Sequence, residues 1–340
     1  MKIRRGLNTA GLIVLIMLLV TTAAFAAGRA EERPVTTLKV AHYFGADHPL
    51  NINLQEVFKQ TVESETDLVV EIYPANQLGA EPEFTEGVMI GNIEMAVTGN
   101  MWEMYNEEIS FIQLPYIFVN MDHAYEVMNG PLGQKVYDEL FKPIGIDVLG
   151  YFSQGGRALS NNVRPIESPD DTAGITMRTW QGTTIIEIME RFGFNVTVMS
   201  MDELFTALQQ GVVDAQDNPV SATYHQGWFE VLDYVSMTSH IIAPNYFVAN
   251  SEMMERLSDR EREVVQRAAA ATTEKTHNDV LAAEQEIIDM IQSEMGVEVT
   301  YPDVVPFMER VMPMIDAFKD DFPGVRDLIE EIQAVGEQYL

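Results

Sequence analysis

Cysteine is absent from the 340 residues. That excludes disulfides, a thiol nucleophile, cysteine-ligated metals and a lipid anchor on a cysteine behind a leader. Basic residues are scarce: 21 Lys and Arg stand against 52 Asp and Glu, a formal net charge of -31. A surface of that sign repels nucleic acid and anionic lipid, so neither is expected as a partner. The scarcity makes individual arginines informative. None lies between Arg33 and Arg157, and Arg157 and Arg178 then fall in segments that otherwise read as core strands and turns. Catalytic signatures are also missing. There is no G-x-S-x-G, H-E-x-x-H, G-x-x-x-x-G-K or G-x-G-x-x-G. The histidines (His42, His48, His123, His225, His240, His277) are scattered with no i,i+4 pair, and Asp214 and Asp217 lack the alternation of a calcium loop. No metal, cofactor or catalytic residue is expected.

Apolar residues make up 46% and charged residues 21%, a globular balance. The length suits about two domains at ~150 residues each. The N-terminus reads as a leader over residues 1–27: Lys2, Arg4 and Arg5, then the apolar run Leu12 to Val20, then Ala24-Phe25-Ala26. The run falls short of the ~20 apolar residues that span a bilayer. The alternative is an uncleaved anchor extending through Ala27. No other segment approaches ~18 apolar residues, so no stable membrane anchor is expected beyond the leader.

From Thr37 the pattern is α/β alternation. Strands are expected at Thr37–His42, Leu68–Tyr73, Glu94–Thr98 and Ile146–Phe152, with helices at 50–62, 81–90, 121–129 and 132–141 between them. The pattern then restarts: strand Ile175–Arg178, helix Thr183–Phe192, strand Val196–Met199, and a capping box at Ser200 and Glu203 opening a helix that stops at Gly211. A strand-like Val212 to Ala215 places Asn218 at a turn before Pro219. A second α/β unit after the first argues for two lobes. Ser258 and Glu261 form another capping box, and from Ser258 to Met295 there is neither Gly nor Pro. This is either one helix longer than a domain or two helices kinked near Thr272-Thr273.

Arg178 ends a predicted strand, and ligands of open α/β sheets bind at that edge. A guanidinium there can grip a carboxylate through two parallel hydrogen bonds, or else pair with one of the many acids of the chain. Asn218 offers donors and an acceptor.

Three segments carry a resemblance: Gly155-Gly156-Arg157-Ala158-Leu159-Ser160-Asn161-Asn162, Gly174 to Gln181, and the run from Glu203 through Leu208-Gln209-Gln210-Gly211-Val212-Val213-Asp214-Ala215-Gln216-Asp217-Asn218-Pro219. Together with Tyr73 to Gly79, Leu114 to Phe118, Gly130 to Gly133, Thr238-Ser239-His240 and Pro302 to Phe307, they resemble the solute-binding proteins of tripartite ATP-independent periplasmic (TRAP) transporters, the DctP family. The similarity covers nearly the whole chain after the leader.

The resemblance implies an α/β, two-lobed periplasmic-binding-protein-like fold with mixed sheets, hinge strands and a long helix spanning both lobes. Lobe I would hold 36–154 plus about 243–283, and lobe II 155–242 plus about 284–340. It implies a non-enzymatic periplasmic protein that captures a small organic acid and delivers it to ion-gradient-driven TRAP membrane subunits. The family's selectivity arginine falls on Arg178, its second arginine on Arg157 and its ligand-contacting asparagine on Asn218. Tyr43, Gln181 and Met201 match pocket-lining positions. The departures are Thr179-Trp180 where the family usually has valine-proline, and Gly99 where some members carry glutamate. Trp102 and Trp180 either line the pocket or pack in the core, and Trp228 is expected in the core. Two other functions fit the same fold: an exported hydrolase, and a module presenting ligand to a sensor kinase.

Overall fold

The computed structural model describes residues 36–339; the expected leader lies outside the described residues. Ten strands form in chain order: β1 (Thr37–His42), β2 (Val69–Tyr73), β3 (Met95–Thr98), β4 (Ile146–Asn161), β5 (Thr176–Thr179), β6 (Asn195–Val198), β7 (Ala215–Pro219), β8 (Tyr234–Ser236), β9 (Ile242–Asn250) and β10 (Glu298–Thr300). They are ordered β2-β1-β3-β9-β4-β7-β5-β6, with β8 on β4 and β10 on β8. β1 is parallel to β2 and β3, whereas β9 is antiparallel to β3 and β4. The sheet is therefore mixed, as the resemblance implies.

Burial follows the strand period of two. Leu38 and Val40 of β1, Met95 and Val97 of β3, and Phe247 and Ala249 of β9 enter one core. Ala41, Ala96, Tyr246 and Val248 enter the core on the opposite face. The second half-sheet repeats this, with Ala158 of β4 in one core and Leu159 in the other. Each half-sheet thus buries both faces, the arrangement of an α/β lobe, and the fold is two-lobed α/β.

β4 does not end at Phe152 as the sequence suggests. It runs 16 residues, pairing first with β9 and then, from Arg157 to Asn161, with β7. Gly155-Gly156 forms an irregularity inside the strand: the register slips between Ser153 and Gly156, and Gly155 holds φ at 120°. Only glycine takes that conformation without strain. One strand therefore passes from the first half-sheet into the second.

The run after Ser258 is one helix, Asp259–Ser293, 35 residues long, about 52 Å at ~1.5 Å per residue. Its capping box forms: Glu261 N–H donates to Ser258 Oγ at 3.3 Å, and Ser258 N–H to Glu261 Oε2 at 2.8 Å. No kink occurs at Thr272-Thr273, whose hydroxyls bond back to the carbonyls of Ala268 and Ala269. Val264, Val265, Ala268 and Ala269 pack with β1 and β3, while Ile287, Ile288 and Ile291 pack with Leu204, Leu208 and Trp228. The helix is thus built into the cores of both half-sheets.

Two local expectations change. Ser200 stands at the N-cap of helix Met201–Gln209, but its side chain makes no capping bond. Asn218 lies within β7, not at a turn. Val212 belongs to the helix exit, where Gly211 (φ 68°) turns the chain and Val212 N–H closes on Ala207 O at 2.9 Å. The strand therefore starts three residues later than its valines suggest. Among the described residues no helix is long and apolar enough to cross a membrane.

Candidate ligand-binding site

A cavity of about 510 Å³ opens where β4 passes between the half-sheets, lined by the ends of β1, β3, β5 and β7 and the turns that follow them. That volume suits a small organic molecule. Six of the residues expected at a site line it: Tyr43, Arg157, Arg178, Trp180, Met201 and Asn218. Two do not. Trp102 is buried in the first lobe's core and its indole N–H donates to Thr98 Oγ1 at 2.9 Å. Gln181 is exposed and its amide N–H points to Met104 Sδ at 3.6 Å. Trp228 packs in the core as expected and also touches the cavity wall.

The two arginines differ. Arg157, on β4, is buried and ion-paired. Its Nε donates to Asp217 Oδ2 at 2.6 Å, its Nη2 to Asp217 O and, at 3.0 Å, to Asn218 Oδ1. The guanidinium carbon lies 4.4 Å from the Trp180 ring centroid. β4 and β7 are antiparallel here with Arg157 opposite Pro219, which brings Asp217 and Asn218 within reach. Arg157 and the His240 hydrogen bond hold the buried Asp217 carboxyl below its ordinary range against the opposing push of desolvation.

Arg178 is 3% exposed. β5 carries it beside Gln216 of β7. Only its Nε is bonded, to Met199 O at 3.0 Å. It has no ion pair among the described residues, and burial pushes its pKa down to about 10. Asp217, Asp202 and Glu203 act on it electrostatically in the opposite sense, but a buried guanidinium that no acid contacts directly is costly. Its unused N–H groups fit an anion in the cavity.

Asn218 Nδ2 donates to Gln216 Oε1 at 2.6 Å and its Oδ1 accepts from Arg157, so its amide is oriented by both neighbours. The Tyr43 hydroxyl donates to Asn245 Oδ1 at 2.5 Å and accepts from Gln154 Nε2 at 3.3 Å.

Several polar residues that line the cavity escaped the sequence reading, among them His48, Asn76, Glu81, Asn100, Asp202 and His225. Asn76 Oδ1 and Asn100 Oδ1 are buried without a partner. Asn76 and its neighbour Ala75 hold φ at 60° and 50°, the kind of strain that collects at binding sites. His48 Nδ1 accepts Leu50 N–H at 3.1 Å and burial lowers its pKa to about 3. It is therefore neutral with the proton on Nε2, which has no protein partner. No cluster of three or more potential metal ligands occurs among the described residues.

The model of the DctP family, bacterial extracellular solute-binding protein family 7, matches residues 40–321. The sialic acid-binding periplasmic protein of Vibrio cholerae is 27% identical over 293 residues, covering 85% of this chain and 90% of its own. A TRAP periplasmic solute-binding protein of Anaerococcus prevotii with bound α/β-D-glucuronate superposes with a TM-score of 0.84 at 26% identity, over 89% of this chain and 99% of that one. Another, from Haemophilus influenzae with bound L-gulonate, gives 0.81 at 27% identity over 88% and 99%.

Proposed function

The chain belongs to the DctP family of bacterial extracellular solute-binding proteins, and from that premise we propose that it captures a small carboxylate sugar acid in the cavity and delivers it to ion-gradient-driven TRAP membrane subunits. The observation that carries the reading is Arg178, a buried cation with no ion pair among the described residues, in a cavity of ligand size. The ligand carboxylate takes the unused N–H groups of Arg178, with Asn218, Trp180 and Met201 beside it. Tyr43 and the polar wall formed by Asn76 and Asn100 meet its hydroxyls. The solved relatives with D-glucuronate and L-gulonate support a hydroxylated acid.

We further assign residues 1–27 as the export leader to the periplasm, residues 36–154 plus about 243–283 as lobe I, and 155–242 plus about 284–340 as lobe II. Contacts from both lobes favour the closed form by no more than the ligand's differential affinity for it. The family and its solved relatives are binding proteins, and we read this chain as one that returns its ligand unaltered.

A thermal-shift screen of the chain without residues 1–27 tests the reading. At about 100 times Kd a sugar acid adds ~2.7 kcal/mol, a rise of several degrees. A blank across hexonates, uronates, tetronates, 2-oxo acids and sialic acid after refolding from denaturant would remove the organic-acid reading, and product formation on prolonged incubation would replace it with an enzyme.

A further inference from the structure

The cavity wall carries two acids, Glu81 and Asp202, and Glu81 has no part in holding the ligand carboxylate. Glu81 opens helix Glu81–Met89. Its Oε1 accepts Gly99 N–H at 2.5 Å. A Cβ added at Gly99 would stand 3.2 Å from both that oxygen and the Tyr43 hydroxyl. The missing side chain at 99 is therefore what lets the carboxyl lie along the wall. Glu81 is in no ion pair among the described residues. The nearer cation, Arg157, is already matched by Asp217 at 2.6 Å. Around Glu81 the wall offers further acceptors without partners, Asn76 Oδ1 and Asn100 Oδ1.

We propose that Glu81 sets the charge class of the ligand: it accepts hydroxyl donors at the end remote from the carboxylate and rejects acids that carry a second carboxylate there. This rests on the reading that Arg178 takes the first carboxylate. With Arg157 paired to Asp217, Arg178 is left as the lining cation without an ion pair among the described residues, and Asp202 on the same wall already acts on it. A second carboxylate would meet the Glu81 carboxylate oxygens with no unpaired cation left for it. A hydroxyl in the same place donates to those oxygens. Burial pushes the Glu81 carboxyl up to about 7 in the empty cavity, and accepting hydroxyl protons favours its ionised form.

The test uses acids of equal length that differ only at the far end. D-gluconate and L-gulonate both become D-glucarate when their terminal hydroxymethyl group is a carboxylate, and D-erythronate becomes meso-tartrate. Titrations at pH 8 compare the wild type with Glu81→Gln, Glu81→Asp and Arg178→Ala. The wild type and Glu81→Asp are expected to bind the better monoacid at least about tenfold tighter than its diacid, since facing like charges cost that much or more. Glu81→Gln is expected to close the gap to about threefold or less, with the diacid gaining affinity. A wild type that binds diacid and monoacid equally overturns the assignment, whether or not the variants fold. So does a Glu81→Gln variant that keeps the wild-type ratio. Arg178→Ala separates the two ideas: if it abolishes monoacid binding while the ratio is insensitive to Glu81, only the Glu81 assignment falls. If no member of the series binds the wild type, the organic-acid reading falls and this one with it.

Discussion

Arg157 lies over the Trp180 ring with 4.4 Å between guanidinium carbon and ring centroid. That ring, Asp217 and Asn218 meet its face, its Nε and its Nη2. Arg178, on β5 across β7, has only Met199 O. The two arginines are of similar burial, but Arg157 has an ion pair and Arg178 has none among the described residues.

The contrast predicts opposite effects on the empty protein. Arg178→Met removes a buried charge that has no ion pair among the described residues, so apo stability is expected to hold or rise while acid binding is lost. Urea denaturation of the ligand-free variant checks this. A fall of ~3 kcal/mol, the scale of a broken buried pair, would mean that Arg178 has a structural partner.

Asp217→Asn does the reverse. It leaves Arg157 buried and unmatched and turns the charged acceptor of His240 Nε2, 3.3 Å away, into a neutral amide. A loss of ~3–5 kcal/mol in urea is expected. Replacing Asp217 and Arg157 together is expected to recover part of that loss, because the orphaned charge goes too.

Stability also carries a pH signature. Burial raises the Glu81 carboxyl from 4.5 to about 7, so the folded protein keeps a proton that the unfolded chain releases. The contribution is full below about 4.5 and is lost as pH rises through 7. His42 and His48 act in the opposite sense. Burial lowers them from 6.5 to about 4 and about 3, so their contribution is present above 6.5 and is lost as pH falls through those values. The melting temperature of Glu81→Gln relative to wild type is therefore expected to climb from pH 5 to pH 8. A flat or falling difference would contradict a buried, protonated Glu81.

The long helix presses on β4 at one glycine. A Cβ at Gly150 would meet Thr273 Oγ1 at 2.5 Å and Cγ2 at 2.9 Å. Gly150→Ala is expected to cost ~1–3 kcal/mol by overpacking. Adding Thr273→Ala removes both clashing atoms, so the pair is expected to be less destabilised than the two single effects combined, a coupling that chemical denaturation of all four proteins reads directly.

Much of this was legible in the sequence. Periodicity placed β1, β2, β3 and the helix at 183–192, because each alternates or repeats cleanly. The capping box at Ser258 with the Gly/Pro-free run behind it marked the long helix. Arg178 stood out because basic residues are so few. The failures have physical reasons. β4 was expected to end at Phe152 yet continues to Asn161, because a bulge inside a continuous strand and a turn use the same glycines. Asn218 was read as a turn residue because β7 is polar along Gln216-Asp217-Asn218, and its burial comes from pairing with β4 and from Arg157. Ser200 has a capping sequence but not the bond. Glu81 was invisible because one carboxylate among 52 acidic residues carries no local mark of burial. What singles it out is the absence of a side chain at Gly99, eighteen positions along the chain and adjacent only in space.

The central claim is that Arg178 holds the carboxylate of a captured sugar acid. Isothermal titration of the refolded, ligand-free protein with the best acid from the screen, against Arg178→Ala and Arg178→Lys, tests it most directly. Truncating one partner of a desolvated charge pair costs ~2–5 kcal/mol, so Arg178→Ala is expected to weaken binding by at least about thirtyfold, with Arg178→Lys between it and wild type. Unchanged affinity in Arg178→Ala would contradict the account.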